Sequence, residues 1–228
     1  MKRAAHTRGD AGRSHRSWPA AALLLLFCSS ALLLQGCPPP QGRVSYSPAR
    51  EYAPDDYHDV LMRWTRRADI YDQLQSQAFI HATFKSLDYR RAYATAYAKI
   101  MDYNQQEAAR LWAEESGAAA AWHEITFVMY TTERRWNDLE RPDTVWKIHI
   151  ASPSGAEVPP AAVTAVKELS PQMQRLLPHH SPFTRLYVLR FPRKDASGAE
   201  LLPAAGGRVV LSLVSGLGKA ELAWEIAP

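Results

Sequence analysis

Apolar residues form one nearly continuous run near the start of this 228-residue chain and recur at regular intervals along the rest of it. Residues 19–34 form one nearly continuous apolar run, which follows a basic start containing Lys2 and Arg3. A basic start followed by an apolar core of about 15 residues is typical of a secretory signal peptide. This core is shorter than the ~20 residues that a membrane-spanning helix needs. Since no later run is as long, we predict no transmembrane helix in the mature chain.

Helical spacing dominates the first part of the remaining chain. Apolar residues recur every three to four positions over residues 56 to about 69, which predicts an amphipathic helix. A second, longer helix is expected to begin at Ser86. Asn104 and Glu107 have the spacing of a capping box, which predicts a further helix near 105–115 that stops at Gly117.

Alternation of apolar and polar residues predicts strands elsewhere. One strand is expected from Leu74 onward, and the runs 124–130 and 146–150 are expected to form a hairpin or two neighbouring strands. Residues 158–177 open with Pro159 and Pro160 and are followed by Pro178 and Pro182, and they predict one or two short helices or turns. Three more strands are predicted in the C-terminal part, with a glycine-containing hairpin turn between the last two.

These elements predict an α+β fold in which an antiparallel β-sheet or sandwich of about six strands is packed against helices from the N-terminal half. We expect three segments in the chain. Residues 1–36 are the signal peptide, and residues 37–54 are a proline-containing tether. Residues 55–228 are long enough to form one domain with a sizeable core.

Leu34, Gln35, Gly36 and Cys37 directly follow the apolar run and resemble the lipobox of bacterial lipoproteins. Gln35 departs from the small or apolar residue usual at its position. The resemblance implies cleavage after Gly36, a diacylglycerol thioether on the Cys37 sulfur and an acyl chain on the new amine. An ordinary signal peptide with an incidental cysteine is the alternative.

Removal of the signal peptide changes the charge and the cysteine content. The chain has 27 basic and 23 acidic residues, and residues 1–36 hold five of the former and one of the latter. The mature chain thus has 27 − 5 = 22 basic and 23 − 1 = 22 acidic residues, which gives no electrostatic case for binding nucleic acid. The resemblance implies that Cys28 is removed and Cys37 is acylated, and we then expect no disulfide, cysteine nucleophile or zinc–thiolate site in the mature chain.

Pro38 follows the cysteine where enteric lipoproteins retained at the inner membrane carry Asp. By that resemblance, the expected location is the outer membrane, on its periplasmic face. The expected partners are the membrane, through the lipid on Cys37, and an envelope protein.

Several groups of residues are candidate contact sites, each with a plainer interpretation. Their members are Arg63, Arg66 and Arg67 on the first helix; the row Tyr89, Tyr93 and Tyr97; Trp136 in a charged loop; and His179 with His180. The arginines could meet anionic lipid or form a solvated face, and the tyrosines could stack on glycan rings or pack in the core. His123 and Glu124 lack the second histidine of a metalloprotease motif.

Neither catalytic, cofactor-binding nor metal-binding residues can be assigned from these patterns, and Cys37 is the one site residue we predict. The expected function is that of a lipid-anchored envelope lipoprotein acting as a non-catalytic accessory or interaction module. The alternative is an envelope enzyme, or a carrier of a small ligand or glycan, with a site that the fold assembles.

Overall fold

A computed structural model describes residues 43–44, 56–151, 155–202 and 206–226. The predicted signal peptide, the lipobox with Cys37 and most of the predicted tether lie outside these described residues. Within them, every helix is too short or too polar to cross a membrane.

The described chain has an α+β fold, as predicted. Its helices are α1 (Tyr57–Trp64), α2 (Leu87–Ile100), α3 (Gln105–Ala121) and α4 (Pro171–Leu176), with a 3₁₀ turn at Arg134–Trp136. Its strands are β1 (Arg43–Val44), β2 (Thr65–Asp72), β3 (Gln75–Phe84), β4 (His123–Thr131), β5 (Lys147–Ala151), β6 (Glu157–Val158), β7 (Ala162–Val166), β8 (Arg185–Phe191), β9 (Gly207–Ser215) and β10 (Gly218–Ile226).

The strands form two sheets. The first sheet has the order β1-β10-β9-β5-β6, and the second has the order β2-β3-β4-β8-β7. Neighbouring strands are antiparallel except β1, which runs parallel to β10. The predicted hairpin between the last two strands is confirmed, with Gly218 paired to Ser215.

One hydrophobic core is shared by the two sheets. The Phe84 ring on the second sheet lies 5.8 Å from the Trp64 ring and 6.0 Å from the Trp224 ring of the first sheet. The Trp224 indole Nε1–H donates to the backbone carbonyl of Trp64 at 2.7 Å. Aromatic side chains bury large areas and also need a partner for the indole N–H, so these three residues hold the sheets together.

The helix predicted over 56 to about 69 is too long. It ends at Trp64, and Thr65 begins β2. Thr65 pairs with Thr83 in β3, and its hydroxyl lies 2.8 Å from that of Thr83. The ladder with β3 therefore pairs the backbone groups of residues 65–72 that face this strand, and this tertiary pairing overrides the local helical spacing.

The other two predicted helices are present where expected. Ser86 caps α2 by accepting from the backbone N–H of Tyr89 at 3.0 Å, and Asn104 forms a capping box with Glu107 at the start of α3. The predicted stop at Gly117 is wrong, because α3 continues to Ala121. A helical glycine costs only about 1 kcal/mol relative to alanine, and the alanines around it favour the helix.

The connection from β4 to β5 also differs from the prediction. The two strands lie in different sheets, so they form neither a hairpin nor a neighbouring pair. Leu139 and Trp146 in the connection are buried, and the Trp146 Nε1–H donates to the carbonyl of Trp136 at 2.6 Å. This connection is anchored by its buried residues and carries the chain from one sheet to the other.

The segment predicted as short helices or turns contains more strand than expected. α4 is present, with Ser170 accepting from the N–H of Met173 and Pro171 at the first helical position. The preceding residues form β6 and β7, and β7 pairs along β8. Edge strands as short as these carry too little alternation to be recognised from the sequence.

Candidate functional site

A buried cluster of charges lies where α2 and α3 cover the start of β4. The Glu124 carboxylate is 3% exposed and accepts from Arg90 Nη2 at 2.7 Å and from Arg190 Nε at 2.7 Å. Lys85 Nζ lies 3.2 Å from the same carboxylate. Glu124 and Arg190 are direct partners in the β4–β8 register, so the pairing of the strands places this ion pair.

The cluster extends to the outer helix. The side chain of Arg90 is fully buried, and its Nη1 lies 2.5 Å from Glu115 of α3. Lys85 reaches Glu115 as well, at 3.4 Å. Burial opposes the charged form of Glu124, but Lys85, Arg190 and Arg90 outweigh this effect and lower its pKa to about 2. The carboxylate is therefore ionised at neutral pH, and the cluster as a whole joins α2 and α3 to β4 and β8.

A cleft opens beside this cluster, between the start of α2, the end of α3 and the start of β4. Its volume is about 240 Å³. Phe84, Leu87 and Trp122 form apolar parts of its wall, and the polar lining includes Lys85, His123 and Arg193. A concave site that combines apolar walls with a few convergent polar groups is the usual form of a ligand site.

His123 and Arg193 lie next to each other at this cleft. The His123 ring is 4% exposed, and its Nδ1 lies 3.4 Å from Arg193 Nη1. Burial, reinforced by the charge of Arg193, lowers the pKa of His123 to about 3, so the imidazole is neutral at physiological pH. Arg193 Nη1 also donates to the carbonyl of Ala119 in the last turn of α3.

The sequence patterns predict neither the charge cluster nor the cleft, and in them His123 and Glu124 form only an incomplete metalloprotease motif. Lys85, Arg90 and Arg193 stand at positions with no distinguishing spacing. The signal that could have found the cluster is the Glu124 carboxylate in a strand of mostly apolar residues, since a buried acid requires a cation close by.

A second group of histidines lies on the outer face of the second sheet. The His81 and His179 rings stack with centroids 4.2 Å apart and planes 6° apart. Burial, followed by the charges of His179 and Arg67, lowers the pKa of His81 to about 4. Of the two adjacent histidines noted in the sequence, His179 stacks on His81 of β3, and this contact joins β3 to the turn after α4. Among the described residues, no three side chains of His, Asp or Glu converge as a metal site.

The tyrosine row is a packing feature that begins in the core. Tyr89 is 2% exposed, and its hydroxyl lies 3.4 Å from that of Tyr57. Tyr93 and Tyr97 are partly buried against the core, with ring centroids 6.2 Å from Tyr89 to Tyr93 and 5.8 Å from Tyr93 to Tyr97. Ring faces that pack on each other leave little of the row available as a platform for glycan rings.

The three candidate arginines are not on one helix face. Arg63 is on α1 and reaches Asp88 at 3.4 Å, whereas Arg66 and Arg67 are on β2. Arg66 Nε donates to the carbonyl of Ala223 at 2.8 Å, which links β2 to β10. Arg67 pairs with Asp69 at 2.8 Å. The structure separates these three side chains into different local contacts.

Trp136 lies on the 3₁₀ turn and is partly buried. The Arg135 guanidinium stands 4.6 Å from the centre of its ring. Asn137, next in the chain, is buried and accepts from the Tyr187 hydroxyl at 2.9 Å through its side chain. The loop is therefore fixed against the sheet directly after the tryptophan, through Asn137.

Comparison with known proteins adds little to this picture. No family model matches the chain, and no curated protein matches it. A solved structure described as a novel protein of unknown function from Burkholderia pseudomallei is similar over 69% of this chain and 77% of that chain. The identity is 14% and the TM-score is 0.32, and a likeness at this level carries no argument about fold or function.

Proposed function

We propose that the protein is a lipid-anchored lipoprotein of the cell envelope, whose folded part acts as a non-catalytic accessory or interaction module. The observation that carries this proposal is the lipobox-like sequence Leu34-Gln35-Gly36-Cys37 directly after an apolar run. One acyl chain holds a protein at a bilayer only weakly, whereas two or more hold it stably. Processing of the lipobox kind on Cys37 therefore provides an anchor that needs no membrane-spanning helix.

The residues after Cys37 support a spacer role. Three consecutive prolines, Pro38 to Pro40, are followed by Pro48 and Pro54 in a stretch without helical or strand periodicity. Proline-rich segments are extended and semi-rigid. Arg43 and Val44 within this stretch pair with β10 as β1, so in this proposal the residues between Cys37 and β1 form the spacer. They hold the folded part away from the outer membrane, on its periplasmic side, where an envelope protein reaches it.

An exposed aromatic patch at one end of the second sheet supports an interaction role. Tyr71 is 57% exposed and Leu74, at the β2–β3 turn, is 99% exposed. The Phe79 ring lies 6.1 Å from that of Tyr71 and 5.7 Å from that of Tyr130. Exposed apolar residues that lie together, rather than singly, mark contact surfaces for other proteins.

Photo-crosslinking in living cells tests the interaction role. A photoreactive residue at Leu74 should give a discrete adduct, and the same residue at Arg110 on α3, where the side chain is 83% exposed, should not. Equal yields at both positions would contradict the use of this patch. Labelling with a fatty acid tests the anchor separately, because the variant Cys37→Ala should lose the label and remain uncleaved.

A second candidate function, that of a carrier for a small ligand, is favoured by the cleft lined by His123 and Arg193. It is compatible with the anchor, since a tethered domain can both hold a ligand and contact a partner. The cleft also distinguishes this candidate from a purely structural module, which has no need of a concave site with polar groups.

A further inference from the structure

We propose that the cleft between α2, α3 and β4 binds a small carboxylate with an apolar body, and that Arg193 and the Nε2–H of His123 hold its carboxylate group. This inference rests on the carrier role and names its ligand class. It does not depend on the lipid anchor, because every residue involved belongs to the folded part of the chain.

The contact between His123 and Arg193 decides which imidazole nitrogen carries the proton. His123 Nδ1 lies 3.4 Å from Arg193 Nη1, and a guanidinium nitrogen can only donate. Nδ1 is therefore the acceptor. Since the imidazole is neutral, its proton is on Nε2, which becomes a donor.

That donor has no partner within the described part of the chain. Nε2 of His123 is buried and makes no hydrogen bond there, although the residue lines the cleft. Buried donors in folded proteins are nearly always paired, so an orphan beside a cavity points to an acceptor that the protein itself does not supply. A carboxylate oxygen of a ligand is such an acceptor.

The charge around the cleft favours an anion. The connected cluster holds three cations, Lys85, Arg90 and Arg190, against two carboxylates, Glu115 and Glu124. Arg193 adds a further cation and forms no ion pair with a described carboxylate. The sum is 4 − 2 = +2 on the protein side of the cleft. A planar guanidinium with free donors matches the two oxygens of a carboxylate.

The walls and the volume limit the rest of the ligand. Phe84, Leu87 and Trp122 offer ring and aliphatic surface, and Trp122 is 38% exposed at the rim. The cleft of about 240 Å³ is below the roughly 300–1,000 Å³ of sites that take drug-sized molecules. One ring or a short chain with an acidic arm is therefore the size that fits.

Equilibrium dialysis of the full-length protein with phenylacetate tests the inference, with phenylacetamide as the neutral molecule of the same shape. Phenylacetate should bind and phenylacetamide should bind at least about tenfold more weakly, which corresponds to about 1.4 kcal/mol. Equal binding of the two, or binding of inorganic phosphate in preference to phenylacetate, would overturn the proposed ligand class.

Variants separate the cleft from the rest of the molecule. Arg193→Gln and His123→Phe should each weaken phenylacetate binding about tenfold or more. Arg208→Gln removes a cation that is 64% exposed, lies on β9 and does not line the cleft, and it should leave binding unchanged. If His123→Phe fails to fold, Arg193→Lys tests the same contact, because a point charge replaces the planar fork and should bind more weakly.

Two further results test the role of Arg193 and separate the ligand site from the anchor. Unchanged binding in Arg193→Gln would overturn the assignment of Arg193 and leave it as a cap for the Ala119 carbonyl. Cys37→Ala should bind phenylacetate as the native protein does, so loss of the anchor and loss of the ligand site can be told apart.

Discussion

Arg90 and Glu124 form an ion pair in which both side chains are almost completely removed from water. Arg90 is 0% exposed, Glu124 is 3% exposed, and Arg90 Nη2 donates to the carboxylate at 2.7 Å. The pair joins α2 to the central strand of the second sheet. Desolvation makes such a pair costly to form, and removal of one partner leaves the other uncompensated.

We therefore expect Arg90→Met to lower the free energy of unfolding by about 3 kcal/mol, since Glu115 and Glu124 lose a shared cation. Urea denaturation followed by circular dichroism measures the loss. Arg110→Met is the matched control, because Arg110 and its partner Glu114 are 83% and 62% exposed. The control should change stability by no more than about 0.5 kcal/mol. Similar losses in both variants would contradict a special role for the buried pair.

The hydrogen bond between Trp224 and Trp64 should contribute to the stability of the fold. Trp224→Phe removes the Nε1–H donor and leaves the buried carbonyl of Trp64 without it. The expected loss of stability is about 1–3 kcal/mol. Trp122→Phe, at a residue that is 38% exposed, should change stability by about 0.5 kcal/mol or less. A Trp224→Phe variant as stable as Trp122→Phe would show that the bond does not hold the sheets together.

Substitution by alanine should have opposite effects on stability at Gly218 and at Gly117. Gly218 has φ of +137°, and a Cβ there would lie 2.5 Å from Cγ2 of Ile70 on the other sheet. Gly218→Ala should destabilise the protein by about 1–3 kcal/mol through strain and overlap. Gly117 is within α3 and has nothing within 4 Å of the added methyl group. Gly117→Ala should stabilise by about 1 kcal/mol. Thermal unfolding of the two variants tests both signs.

Acid should weaken the fold through the buried histidines. The pKa of His81 is lowered from 6.5 to about 4, and that of His123 from 6.5 to about 3. The unfolded chain therefore takes up protons first as the pH falls. The contribution of these residues is complete above pH 6.5 and is lost as the pH falls toward 4 for His81 and toward 3 for His123.

Urea denaturation at several pH values, with His81→Gln as the variant, measures this dependence. The groups around His81 are His179, Arg67 and Asp69, and the variant keeps all three. Its stability should fall less steeply than that of the native protein between pH 6.5 and about 4. Identical slopes would mean that His81 titrates alike in the folded and unfolded chain.

Much of the fold could be predicted because its signals are local. The cap at Ser86, the capping box at Asn104 and the alternation in β3 and β10 depend on residues that are close in sequence. The end of α1 could not be predicted in this way. Thr65 leaves the helix because β3 pairs with it, and that partner is 18 residues away.

The candidate site depends almost wholly on such distant contacts. His123 and Arg193 are separated by 70 residues, and Arg90 and Glu124 by 34. Spacing along the chain carries no information about pairs of this kind, since the sheet register and the helix packing create them. Cys37 is the opposite case, because the lipobox resemblance is contained in four consecutive residues.

The central claim is the lipid anchor, and mass spectrometry of the N-terminal peptide of the mature protein tests it most directly. The proposal predicts a peptide that begins at Cys37 and carries a diacylglycerol thioether and an amide-linked acyl chain. A mature chain that begins at any other residue, or an unmodified Cys37, would contradict it.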